Sequence, residues 1–130
     1  MLIQAIGNYC IHLLAGLAML GVFVIVYLRT TPFDEISLIR QGCVAAALSL
    51  AGATLGFSLT IASSILHSDN FIMFMTWGSC AMLVQVAAYA VLARALPNMV
   101  QELSDNNIAM GALMGLTSLV VGIINAACLS

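Results

Sequence analysis

From Gln41 to Ser68 the chain reads QGCVAAALSLAGATLGFSLTIASSILHS, 28 residues without an Asp, Glu, Lys or Arg. About 20 apolar residues cross a bilayer as a helix, so this stretch spells a membrane span. Within it Ala45, Ser49, Gly52, Gly56, Thr60 and Ser63 fall on one helical stripe. Lipid tails offer apolar contact as good as leucine does, so spans associate where small side chains let backbones approach. Charge-free runs also fill positions 1–28, 70–93 and 106–130, of 28, 24 and 25 residues. The whole chain is 63% hydrophobic and 6% charged, with a mean hydropathy of +1.14. Soluble domains carry about 25% charged residues, which excludes an aqueous fold, a nucleic-acid binder and a disordered tail. The sequence therefore predicts one all-α integral membrane domain over 1–130, with four transmembrane helices.

Orientation follows from the few basic residues. The chain has no Lys, and its three Arg are Arg29, Arg40 and Arg94. They border the first and third connections, whereas the second, around Asp69, has none. Basic residues mark cytoplasmic loops, so the expectation is both termini outside. Tyr9 and Trp77 would then lie at the outer interface, with Tyr27 and Tyr89 at the inner one as part of an aromatic belt. Met1–Asn8 lacks the basic region of a secretory signal, and its apolar run continues to Leu28, so the first segment reads as a retained span. Cys10, Cys43, Cys80 and Cys128 fall one to a span with no C-x-x-C pair. They read as small packing residues, with an oxidised Cys10–Cys128 pair at the outer face as the alternative.

The halves resemble each other. Arg29-Thr-Thr-Pro32 recurs as Arg94-Ala-Leu-Pro97, 65 residues on. Each proline is followed by a short mixed segment, Phe33–Arg40 or Asn98–Asp105, and then by a span rich in small residues. This predicts two parallel-repeat helical hairpins, 1–66 and 71–130, related by an axis along the membrane normal. Thr31-Pro-Phe-Asp34 has capping-box spacing, with proline at the first helical position. Phe33, Ile36 and Ile39 would form a face lying on the headgroup boundary. Asp105 or Asn106 is the expected cap of the fourth span. That span carries its own stripe, Gly111, Gly115, Ser118, Gly122 and Ala126. Gly52–Gly56 and Gly111–Gly115 are both G-x-x-x-G, so the second and fourth spans are expected to pack centrally with the first and third outside. The same stripes could otherwise join two chains.

Charged groups inside a bilayer usually mark function, and no span holds one. A carboxylate-driven exporter or proton relay is disfavoured on that ground. The candidate intramembrane polar residues are His12, Gln85, Asn107 and Asn125. Gln4, Asn8 and His12 share one face at the outer end of the first span. An imidazole there is a possible pH sensor, metal ligand or haem ligand, but with His67 as the second histidine it reads more simply as hydrogen-bonded to a neighbouring helix. Gln85, at mid-span, calls for a cross-helix hydrogen bond. Asn125 is placed to cap or bridge. Nothing assembles a nucleophile, base and orienting group, so no catalytic residue, metal site or cofactor is expected.

Three segments carry a resemblance: Gly122-Ile-Ile-Asn-Ala-Ala-Cys-Leu-Ser130, Ala45 to Phe57, and Asn106 to Gly115. Together they resemble the YjfL-like bacterial inner-membrane family, domain of unknown function 350. The resemblance covers most of the chain and implies a bacterial inner-membrane location and a two-span unit present twice, but no catalytic residues. It also implies an Asn before the alanine run of each hairpin. Asn107 matches, while Gln41-Gly42 stands there in the first half. Two functions remain open. One is a non-enzymatic structural, assembly or envelope-accessory component, partnered by the lipid bilayer and by its own copies or another membrane protein. The other is an oligomeric channel or facilitator for a small solute or ion, lined by groups such as Ser49, Thr60, Gln85 and Asn125.

Overall fold

A computed structural model describes residues 1–31 and 34–129, and among them there are helices and no strand. The order is α1 (Leu2–Thr30), α2 (Glu35–Arg40), α3 (Val44–His67), α4 (Phe71–Ala95), α5 (Met99–Ser104) and α6 (Ile108–Cys128). The four long helices are each long and apolar enough to cross a membrane. The two short ones sit together at one end of the bundle, and the α3–α4 turn lies at the other. Several helix starts are capped by side chains that satisfy amides left free in the first turn. Asn70 Oδ1 accepts from Met73 N at 2.9 Å, and Asn107 Oδ1 accepts from Met110 N at 3.2 Å.

The centre is the pairing of α3 with α6, two helices that run parallel. Ala45 faces Gly111, Leu48 and Ser49 face Gly115, Gly56 faces Ser118 and Gly122, and Ser63 faces Ala126. The approach is backbone to backbone. A Cβ on Gly52 would land on the backbone of Gly115, one on Gly111 on that of Ala45, and one on Gly122 on that of Gly56. A Cβ on Gly115 would strike the Leu48 carbonyl, and one on Gly56 would come 2.7 Å from the Ser118 carbonyl. The stripes thus face each other within one chain. Two hydroxyls add cross-span bonds: Thr60 Oγ1 donates to Gly122 O at 3.1 Å and Ser63 Oγ to Ala126 O at 2.6 Å.

α1 and α4 pack around this pair. α1 buries only Gly16, Met19, Phe23 and Tyr27, a single stripe in its second half. Aromatic contacts fasten it: Phe23 stacks on Phe57 of α3 at 4.6 Å, Tyr27 meets Tyr89 of α4 edge-on at 4.9 Å, and His12 stacks on Phe74 at 5.7 Å. Tyr9 and Trp77 lie on the outside of the bundle. Tyr27 and Tyr89 do not: they are 1% and 4% exposed, so they are core residues rather than part of an interfacial belt.

Two capping expectations are corrected. Pro32 and Phe33, the expected first helical residue and one member of the interfacial face, lie outside the described residues. α2 starts later than the capping-box reading placed it, because Asp34 is its cap, accepting from Ser37 N at 3.2 Å. Thr31 instead closes α1, its hydroxyl donating to Leu28 O at 2.9 Å. At α6 the cap is Asn107, not Asp105 or Asn106. Asn106 takes another task, since α2 and α5 end alike. Gly42 (φ 88°) and Asn106 (φ 60°) each adopt the left-handed conformation one residue past the C-cap. Cys43 N donates to Leu38 O and Asn107 N to Glu102 O, both at 2.9 Å. This is the Schellman ending, which satisfies the last carbonyls of a helix and favours Gly or Asn at that position. The four cysteines are free thiols, so Cys10 and Cys128 are not joined.

The glycine contacts generate a position-specific expectation. Gly52→Ala and Gly115→Ala should each destabilise the folded protein by about 2 kcal/mol or more, as overpacking against backbone does. Gly7→Ala and Gly21→Ala, where nothing lies within 4 Å of the added carbon, should leave stability unchanged or slightly higher. Unfolding in mixed detergent micelles, followed by circular dichroism, measures the difference.

Candidate functional site

The polar side chains within the bundle are mostly spent on neighbouring backbones. Gln85, 3% exposed at the middle of α4, donates from Nε2 to Ser118 O of α6 at 2.8 Å. Its Oε1 is buried without a partner. Asn125 bridges in the opposite direction, Nδ2 donating to Ala81 O of α4 at 3.1 Å. Ser64 Oγ donates to Phe74 O at 3.1 Å, tying α3 to the first turn of α4. His12 is half-buried, and its Nδ1 donates to Asn8 O of its own helix at 2.8 Å, not to a neighbouring helix as expected. Asn107 is exposed at the α6 start, outside the span interior. His12, Gln85, Asn107 and Asn125 are therefore dispersed along the bundle and converge on no common point. No group of three or more His, Cys, Asp or Glu is placed to hold a metal among the described residues.

Convergence occurs instead at the short-helix end, around Glu35, which the sequence reading did not single out, and on Tyr27, Tyr89 and Ser49, which it placed in other roles. Asp34, the cap, faces outward, and the next residue turns in. Glu35 is 1% exposed, and both carboxylate oxygens are buried with no hydrogen-bond partner. Three helices supply the surroundings: Tyr27 from α1, Tyr89 from α4, and Ser49 from α3, which shares a 3.0 Å hydrogen bond with the Tyr27 hydroxyl. The Glu35 carboxyl is electrostatically coupled to both tyrosine hydroxyls. The Tyr89 hydroxyl is itself buried without a partner. Arg29, Arg40 and Arg94 are exposed, and none pairs with it.

Burial raises the Glu35 pKa from the ordinary carboxyl range to about 7, with the neighbouring Thr31 hydroxyl opposing the shift. An ionised carboxylate removed from water without compensation is costly and takes up a proton instead. Because the folded value lies above the unfolded one, the neutral acid favours the folded state. That contribution is complete below the unfolded value near 4.5 and is lost as pH rises through about 7. A signal for this burial was present in the spacing. Glu35, Leu38 and Ile39 share one helical face, and Leu38 and Ile39 pack on the core while Ile36 is 41% exposed. The expected interfacial face through Ile36 and Ile39 is thus corrected: the buried side of α2 includes its acid.

Around this cluster the two short-helix junctions brace each other. Asn106 Oδ1 accepts from Ala45 N at 3.1 Å, satisfying an amide in the first turn of α3 that Cys43 does not cap. Cys43 Sγ in return donates to Leu103 O at 3.2 Å. Four charge-poor spans, two short re-entry helices and a glycine-lined central pair agree with one family model, the Domain of Unknown Function DUF350, which matches residues 1–129. The chain belongs to the DUF350 family. It is similar to the UPF0719 inner membrane protein YjfL of Escherichia coli K12, 27% identical over 129 residues, covering 99% of this chain and 98% of that one. The same protein of Escherichia coli O157:H7 matches equally. No solved structure matches. This DUF350 chain is a multi-pass inner-membrane protein with four transmembrane helices.

The Tyr27–Ser49 bond is testable as a coupling. In a double-mutant cycle, Tyr27→Phe and Ser49→Ala should show an interaction energy of about 0.5–1.5 kcal/mol, the range seen for hydrogen bonds between spans. The singles and the double, unfolded in the same detergent system, give the value.

Proposed function

We propose that this DUF350 chain is a non-enzymatic inner-membrane component that works by assembly, with further copies of itself or with another membrane protein. The observation that carries this reading is the fate of its polar groups. Ser49, Thr60 and Gln85 are buried inside one chain, and Ser63, Gln85 and Asn125 end on backbone carbonyls of adjacent spans. Isolated bonds of this kind lock helices together. A conducting path through an oligomer needs such groups on the outside of the bundle, where they would meet those of the next chain.

The same reading includes a duplication and an orientation. The halves 1–66 and 71–130 are taken as two copies of one hairpin, supported by the matching Schellman endings of α2 and α5 and the parallel pairing of α3 with α6. Arg29, Arg40 and Arg94 at the short-helix end support a cytoplasmic placement of that end. Both termini then lie on the periplasmic side.

Purified protein in sealed liposomes tests the reading against its alternative, an oligomeric channel or facilitator for a small solute or ion. Proton, potassium and glycerol fluxes should stay at the level of empty vesicles. A flux abolished by Gln85→Leu, with the oligomer seen by native mass spectrometry unchanged, would establish transport and reject assembly as the sole role.

A further inference from the structure

We propose that Glu35 is a proton-binding site that controls the docking of α2: the short helix is seated with Glu35 as the neutral acid and is released when that acid gives its proton to water. The geometry carries the assignment. Among the described residues Glu35 is the charged side chain that is buried; neither of its oxygens has a hydrogen-bond partner, and the neighbouring Thr31 hydroxyl offsets the burial only in part. Neither tyrosine hydroxyl reaches the carboxyl in hydrogen-bonding geometry.

At the end of α1 the Thr31 hydroxyl lies beside the carboxyl. α1 presents Tyr27 and α4 presents Tyr89. α3 contributes Ser49 through Tyr27, and its His67 lies at the far end of the span. On α5 the titratable residue is Glu102, half-buried with Oε2 unpartnered, which is no counter-ion. On and beside α2, Asp34 is committed to Ser37 N and Arg40 is exposed at the opposite end. Arg29 and Arg94, like Arg40, are exposed, and none of the three pairs with the carboxyl among the described residues. The helix has six residues and is anchored mainly by Glu35, Leu38 and Ile39, so water is reached by lifting one turn rather than by opening the bundle.

A pH rise on the short-helix side then converts a buried neutral group into a charge that must be solvated, and docking weakens about tenfold for each pH unit above the midpoint. Which compartment is sensed rests on the orientation proposed above; proton binding itself does not. Failure of the assembly reading in a flux assay would leave this proposal standing.

The test uses the full chain in nanodiscs. Hydrogen exchange of the amides from Ile36 to Cys43 is followed between about pH 6 and about pH 8.5 and corrected for the intrinsic pH dependence of exchange. Wild type should lose protection in this segment by tenfold or more across that range, with α3 and α6 unchanged. Glu35→Gln, which keeps the shape and removes the charge, should stay protected throughout. Equal protection of wild type at both ends, or the same loss in Glu35→Gln, overturns the proposal. A second readout needs no change at Glu35. The chain holds two glutamates, Glu35 and Glu102, so carbon-13 labelling of glutamate carboxyls gives two signals. The one that persists in Glu102→Gln should titrate near 7. Two midpoints in the ordinary carboxyl range overturn the proposal.

Discussion

Backbone contact between α3 and α6 is the constraint from which the rest of the bundle follows. Between two spans in lipid there is no hydrophobic gain to collect, so attraction comes from dispersion and from close carbonyl and Cα approach. Gly52, Gly56, Gly111, Gly115 and Gly122 provide that approach along nearly the whole pair. The contacts ascend together along both helices, so the pair is parallel, and parallel spans need a returning helix between them. α4 supplies the return, and α1 covers the exposed flank with an aromatic stripe.

A parallel central pair also brings the starts of α3 and α6 together at one end. There the start of α3 lies beside the end of α5, which is why Asn106 can serve Ala45 and Cys43 can serve Leu103. The same crowding encloses Glu35. α2 has to return the chain from α1 to α3 over the end of a bundle already filled by Tyr27, Tyr89 and Ser49. Its inward face meets protein rather than water. Burial of the acid is thus a consequence of the central packing, and the protonation state of the acid reports how tightly the short-helix end is closed.

The four spans were legible because charge-free runs of more than 20 residues have no other stable use, and the description of the outer faces of α1 and α4 follows from the same composition. The α3 and α6 stripes were legible because small residues at helical spacing are a packing device readable one helix at a time. Glu35 was not legible in that way. In isolation Asp34 and Glu35 are two acids opening a helix, which is where acids normally sit in water. The spacing with Leu38 and Ile39 marks the side on which Glu35 lies, and the positions of Tyr27 and Tyr89 on two other helices show that this side is enclosed. The tyrosines failed for a related reason: depth along a span is readable from sequence, but the side of the helix that faces protein is not. Asn106 was misassigned because a left-handed conformation and a cross-half bond depend on the partner junction, whereas a cap depends on three consecutive residues.

A cross-linking measurement tests the intrachain pairing of α3 with α6 most directly. Leu48 and Ala112 line the same lipid-facing groove along this seam. In a background with the four native cysteines replaced by alanine, Leu48→Cys and Ala112→Cys are introduced together and treated with a short bifunctional thiol reagent in dilute nanodiscs holding one chain each. The account requires efficient cross-linking within single chains, seen as a mass gain of one reagent on a monomer. Cross-linking confined to samples with two or more chains per disc, with covalent dimers as the product, would contradict it and make the glycine seam an interface between molecules.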